Sequence, residues 1–85
     1  MGGSGMSDFE QLPIPQVANW QRLYEPEAKA RCIKDNPPML GFGQPLKVGD
    51  VVDVDSICWS GTRYQLAVEA QCAFYDLEGY FEVLP

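Results

Sequence analysis

The sequence contains no histidine, and this absence weighs most against catalysis. Histidine is the commonest general base and metal ligand, so a serine or cysteine nucleophile would need a lysine or a carboxylate to activate it. Without histidine, the three cysteines cannot complete the usual Cys/His zinc site. The glycine-containing segment 41–45 lacks the spacing, the lysine and the following helix of a phosphate-binding loop. We therefore expect a protein that is not an enzyme and that holds neither metal nor cofactor.

Long hydrophobic runs are also missing. No segment approaches the roughly 18 apolar residues that cross a bilayer, and none has the order of a secretory signal. We predict a cytoplasmic protein that does not bind membranes. The odd set Cys32, Cys58 and Cys72 favours reduced side chains in or near the core, because free cysteine behaves as a small hydrophobic residue.

Basic residues are few, and they are unevenly distributed. The formal net charge is −6. From residue 46 onward seven acids stand against two bases, so this half of the chain carries −5. A surface of this sign repels the phosphate backbone, which argues against direct nucleic-acid binding. The natural counterpart of such a surface is a basic partner protein.

Composition divides the chain into three regions. Residues 1–6 are typical of an expression linker followed by a start methionine. Residues 7–27 predict an N-terminal arm, extended at its prolines, and then a short helix over 16–24 with apolar residues at helical spacing. We expect two to three turns of helix, with Trp20 and Tyr24 packed over the core. Residues 28–85 predict one β domain, since a chain of this length buries a single modest core.

Five strands are predicted in the β domain. They cover residues 29–35, 51–59, 63–70, 73–77 and 80–84, and a tight turn at Ser60-Gly61-Thr62 joins the second to the third as a hairpin. The loop 37–45 is apolar enough that part of it should fold back onto the sheets. Five short strands with one long loop and a central hairpin are typical of a mainly β, SH3-like barrel with a short N-terminal helix and an extended arm.

Alternation along the strands predicts the core. A strand turns successive side chains to opposite faces. The third strand should therefore bury Tyr64, Leu66, Val68 and Ala70 and turn Arg63, Gln65 and Glu69 outward. The last strand should bury Phe81 and Val83.

Four segments carry a resemblance to known proteins. In order, they are Ala30-Arg31-Cys32-Ile33-Lys34-Asp35, Leu46-Lys47-Val48-Gly49-Asp50-Val51-Val52-Asp53-Val54, Tyr64 within its strand, and Tyr80-Phe81-Glu82-Val83-Leu84. Together they resemble small SH3-like barrel proteins of bacteriophage and prophage genomes, which are mostly of unknown function. The resemblance covers about residues 28–85 and implies the same barrel.

Acidic and aromatic residues of the β domain are the candidate contact residues. We predict that a partner binds at Phe42, Asp50, Asp53, Asp55, Trp59 and Tyr75, because aromatic residues near loops anchor interfaces and acids attract a basic protein. Two simpler interpretations stay open: the acids form a solvated face, and Trp59 and Phe42 cover an open end of the barrel. A third is that the three aspartates gather a hard cation.

These features support two functional hypotheses. The first is a non-catalytic binding module, encoded by a phage or mobile element, that docks on a basic host protein and inhibits a nuclease or defence complex. The second is a structural or assembly protein that self-associates into a homo-oligomer through its edge strands and its arm.

Overall fold

The protein is mainly β. The computed structural model describes residues 12–85, so the predicted linker at 1–6 and the beginning of the arm lie outside the described residues. In this described part, seven strands form two antiparallel sheets, not five strands in a closed barrel: β1 (Lys29–Cys32), β2 (Met39–Gly41), β3 (Val51–Asp53), β4 (Ser56–Trp59), β5 (Tyr64–Val68), β6 (Ala73–Asp76) and β7 (Phe81–Val83). Within residues 12–85, no helix is long and apolar enough to cross a membrane.

The three-stranded sheet has the order β3-β1-β7. Its inner face buries Ala30, Cys32, Val52, Phe81 and Val83, so the core positions predicted for the last strand are confirmed. Strand β1 ends at Cys32, earlier than the predicted residue 35. The chain turns beyond it, where Asn36 takes a positive φ of 56° that a strand does not accommodate.

The predicted strand 51–59 divides into two strands that belong to different sheets. The division falls at Val54 and Asp55, where successive N–H groups bond in different directions. The Val54 N–H donates to the Ala28 carbonyl (2.9 Å), beside the three-stranded sheet, and the Asp55 N–H donates to the Ala67 carbonyl (2.9 Å), in the four-stranded sheet. This corner accounts for one of the two additional strands.

The four-stranded sheet has the order β2-β6-β5-β4. The predicted hairpin is confirmed, with Ser56 to Trp59 paired against Ala67 to Tyr64 around the turn. The predicted loop 37–45 does fold back onto the sheets: its segment β2 pairs with β6 and is the other additional strand.

Strand β5 departs from simple alternation. Tyr64, Leu66 and Val68 are buried as predicted, but Gln65 is buried as well. It is flanked by strands on both sides, and its amide donates to Asp76 (3.1 Å). Ala70 is exposed rather than buried, because the strand ends at Val68 and a short 3₁₀ helix, Glu69–Gln71, follows.

The predicted helix over 16–24 is a single 3₁₀ helix, Trp20–Tyr24. Asn19 precedes it in the left-handed conformation (φ 62°), so the helical backbone does not continue upstream. Trp20 packs against the core as expected. Tyr24 is 67% exposed, so its predicted place over the core is wrong. The helix lies against β4 and β7, and the Arg22 guanidinium donates to the Leu84 carbonyl (3.1 Å).

Candidate functional site

The predicted acidic residues do not form one site. The Asp50 carboxylate accepts a hydrogen bond from the Lys47 N–H (2.9 Å), within the turn before β3. The Asp55 carboxylate accepts one from the Glu69 N–H (2.7 Å), beside the other sheet. Within residues 12–85, no group of three or more acidic or cysteine side chains lies close enough to hold a metal ion. Each of these aspartates therefore stabilises its own local turn or corner.

The outer face of the three-stranded sheet is balanced in charge. Asp53 is hydrogen-bonded to Lys29 on β1, and this bond raises the pKa of the Lys29 ammonium. Arg31 donates to Glu82 on β7 at 2.6 Å. Both pairs are exposed, so each contributes little to stability. The pairing nevertheless leaves this face without the net negative charge that the sequence predicted.

The three predicted aromatic residues have different environments. Phe42 is 88% exposed immediately after β2. Trp59 is half-buried and packs against the core, with its ring centroid 4.9 Å from that of Tyr64. Tyr75 is fully buried, so the prediction that it is an exposed contact residue is wrong.

The burial of Tyr75 follows from its register. It pairs with Leu66 on β5, and this places its ring on the core face of the sheet. The hydroxyl lies 2.6 Å from Gln71 Oε1 and 3.0 Å from the Gln44 carbonyl oxygen. It can donate its proton to one of them at a time. Burial raises the pKa of this phenol.

An apolar groove lies on the other, outer face of the four-stranded sheet. Leu40, Phe74 and Ala67 are neighbours in one row across β2, β6 and β5, and directly paired residues share a face. We call this the outer groove; its volume is about 320 Å³, and its lining residues are Leu40, Gly41, Ala67, Val68, Glu69, Cys72, Ala73 and Phe74. Its walls are side chains that water reaches: Leu40 is 59% exposed and Phe74 is 43% exposed.

Two of the predicted contact residues, Phe42 and Asp55, are hydrogen-bonded to lining residues of the outer groove. The Phe42 N–H donates to the Cys72 carbonyl (3.2 Å), which places Phe42 beside the lining residue Cys72. Asp55 bonds to the backbone of Glu69, the charged residue of the lining. The side chain of Glu69 is exposed and makes no ion pair with residues 12–85.

A second groove adjoins the first and shares Leu40 with it. This polar groove has a volume of about 260 Å³ and is lined by Pro38, Met39, Leu40, Ser60, Thr62, Arg63, Gln65 and Asp76. Asp76 is buried and accepts a hydrogen bond from the Arg63 guanidinium (2.8 Å), and this bond raises the pKa of Arg63. The negative charge in the polar groove is thus already paired with a base.

Sequence reasoning missed Leu40, Phe74 and Glu69 as site residues. Leu40 belongs to the apolar loop that was expected to fold back, but nothing in the sequence indicates that it would remain exposed after doing so. The exposure of Phe74 could have been predicted from the sequence. Phe74 stands between Ala73 and Tyr75, and a strand that buries those two side chains turns the one between them outward.

Comparisons with protein-family models, with curated protein sequences and with solved structures found no match. A functional assignment must therefore rest on the geometry of the grooves and on the charge of the chain.

Proposed function

We propose that this protein is a non-catalytic protein-binding module that takes an extended segment of a basic partner protein into the outer groove. The observation that carries the proposal is the group of large apolar side chains left exposed around this groove, Leu40, Phe42 and Phe74. Single exposed apolar side chains are common on folded proteins, but a group of them on adjoining strands marks an interaction surface.

The size of the apolar surface supports this function. Taking about 200 Å² for each fully exposed large side chain, the three residues expose roughly 400 Å². Contiguous patches of this size on monomeric proteins are often functional. The two phenylalanines supply aromatic area, and aromatic residues are enriched in the energetically important part of interfaces.

Charge supports a basic partner. The chain carries a formal net charge of −6, and the lining of the outer groove includes one acid and no base. A partner of opposite sign would associate faster, and its binding would weaken as salt screens the attraction.

The resemblance to phage proteins supports finer proposals on fold and role. Strands β3 and β4 follow one another with two residues between them, so they correspond to one bent strand of an SH3-like barrel, with β2 as an addition to its long loop. The partner is then a basic component of a host nuclease or defence complex, which this protein would inhibit.

A second candidate function is assembly with copies of the same chain, and the edge of β2 favours it. Strand β2 ends the order β2-β6-β5-β4. At the two ends of β2, the Asp76 N–H donates to the Pro38 carbonyl and the Phe42 N–H donates to the Cys72 carbonyl. The N–H and C=O groups of β2 that alternate with those bonded to β6 therefore point away from the sheet. Such an edge accepts a strand from another molecule.

The test is a pull-down from bacterial lysate with tagged protein, eluted by a salt gradient and analysed by mass spectrometry. Phe42→Ser removes the most exposed side chain of the site. Val48→Ser is the matched control, because Val48 is 62% exposed in the turn before β3, on another part of the surface.

The proposal expects a basic protein at stoichiometric yield with wild type and with the control, eluted by salt and lost with Phe42→Ser. If wild type, Phe42→Ser and Val48→Ser retained the same partner equally, the partner would bind away from the outer groove. Analytical ultracentrifugation separates the second candidate, since assembly through β2 predicts a concentration-dependent dimer of the purified protein.

A further inference from the structure

We infer that the outer groove binds the side chain of a lysine or arginine from the partner, with its aliphatic part over the apolar floor and its charged end at Glu69. This inference rests on the proposed function and names the chemistry of the group that the groove takes.

The floor of the outer groove suits an aliphatic chain. The Ala67 side chain is small and lies in the same row as Leu40 and Phe74, which rise on either side of the floor, while Val68 and Ala73 turn their side chains to the core and line the groove with backbone. Lysine and arginine lay their methylene groups along apolar surface of this kind while their charged ends remain in water or at a carboxylate. The exposed ring of Phe74 adds an attractive surface for a cation.

The rim of the groove selects a cation over an uncharged side chain. Glu69 begins the 3₁₀ helix that closes one end of the groove, and its N–H is fixed to the Asp55 carboxylate at 2.7 Å. Two carboxylates therefore lie at this end, and the lining residues include no base. A neutral apolar side chain would fill the floor but would leave this charge without a partner.

The adjacent polar groove does not offer the same site. Its carboxylate, Asp76, is buried and is bonded to Arg63 and to Gln65. An incoming cation would meet the like charge of Arg63, whose side chain is about half exposed. Of the carboxylates that line the two grooves, those of Asp76 and Glu69, the Glu69 carboxylate is the one open to a basic residue.

The geometry also predicts the pattern of the partner segment. An extended chain turns residues i and i+2 to one side, about 6 to 7 Å apart. A basic residue seated in the groove therefore places its second neighbour over Leu40 or Phe42, where an apolar side chain fits. The expected motif is a lysine or arginine two positions from a large apolar residue.

A displayed library of random peptides tests the inference, selected in parallel on wild type, Glu69→Gln and Glu82→Gln. Glu82 is the matched control because it is an exposed glutamate on the outer face of the other sheet. The most enriched peptide is then synthesised with its basic residue and with norleucine in that place, and both affinities are measured by fluorescence anisotropy.

The inference expects the motif to be enriched by wild type and by Glu82→Gln but not by Glu69→Gln. The peptide with norleucine should bind wild type about fivefold more weakly than the peptide with the basic residue, which is the contribution of one partly exposed ion pair. For Glu69→Gln the two peptides should differ less than twofold. Enrichment of apolar peptides by all three proteins would overturn the inference and leave the proposed function standing. No enrichment by wild type, with a dimer abolished by Leu40→Ser, would overturn both.

Discussion

Replacing Gly41 with alanine tests how closely β2 must approach β6 to form the wall of the outer groove. Gly41 has a φ of +99°, and a Cβ built on it would overlap the Cys72 carbonyl oxygen and lie 3.2 Å from the Ala73 Cα. Both atoms belong to the backbone, so a side-chain rotation cannot relieve the overlap. Strand β2 would have to move away from β6.

Gly49→Ala is the matched control. Gly49 has the same φ of +99°, but its Cβ would meet nothing within 4 Å. At both positions a left-handed backbone destabilises alanine relative to glycine by about 1 to 2 kcal/mol. Alanine also makes the unfolded chain less flexible, and this offsets about 0.4 to 1 kcal/mol of that loss. The difference between the two variants isolates the steric overlap at β2.

The expected loss of unfolding free energy is about 1 kcal/mol for Gly49→Ala and about 3 kcal/mol for Gly41→Ala. The additional loss includes the hydrogen bond from Phe42 to Cys72, worth about 1 kcal/mol, and the packing of β2 on β6. With a urea slope near 1 kcal/mol per molar, the midpoints would fall by about 1 M and about 3 M.

Urea unfolding followed by tryptophan fluorescence measures both midpoints. Equal shifts for the two variants would refute the close approach of β2 to β6, and with it the wall of the outer groove. A smaller shift for Gly41→Ala than for Gly49→Ala would refute it as well, because the two glycines share the same φ and only Gly41 has the overlap.

Three further predictions concern buried and exposed side chains. Tyr75→Phe should lower the unfolding free energy by about 1 kcal/mol in urea melts, because its hydroxyl bonds to Gln71 or Gln44. Burial raises the pKa of Tyr64 and of Tyr75, so both phenols should ionise late in an ultraviolet titration. The unfolded chain ionises them near pH 10, and stability should therefore be intact below that pH and decline above it. Thiol reagents should modify Cys58 and Cys72 in the native protein and Cys32 only after unfolding, since only Cys32 is buried.

Local signals predicted the parts of the fold that depend on neighbours in sequence. The hairpin around Ser60-Gly61-Thr62 is one example, because alternating strands joined by a glycine turn specify their own register. The buried positions Phe81 and Val83 are another, because period two along a strand exposed on one face separates core from solvent directly.

Long-range contacts explain what the sequence did not predict. Nothing in the run from Val51 to Trp59 indicates that Val54 bonds towards one sheet and Asp55 towards the other. The strand β2 contains a glycine and lies in a proline-rich segment, both typical of a loop, and it is extended because β6 supplies its hydrogen-bond partners. Pairing across the chain thus overrides local preference in both places.

The same dependence on pairing determines where the proposed binding surface lies. The one acid of β3, Asp53, is next to Lys29 on β1, and this proximity, which only the sheet creates, neutralises its charge. The outer groove arises in the opposite way: β2 brings Leu40 beside Phe74, and the exposed apolar area of two separate segments becomes one surface. In the proposed function, net charge therefore predicts the sign of the partner, whereas the strand order determines which face the partner would meet. On this view a charge-reversing substitution at Asp53 should affect binding less than the neutral change Phe42→Ser.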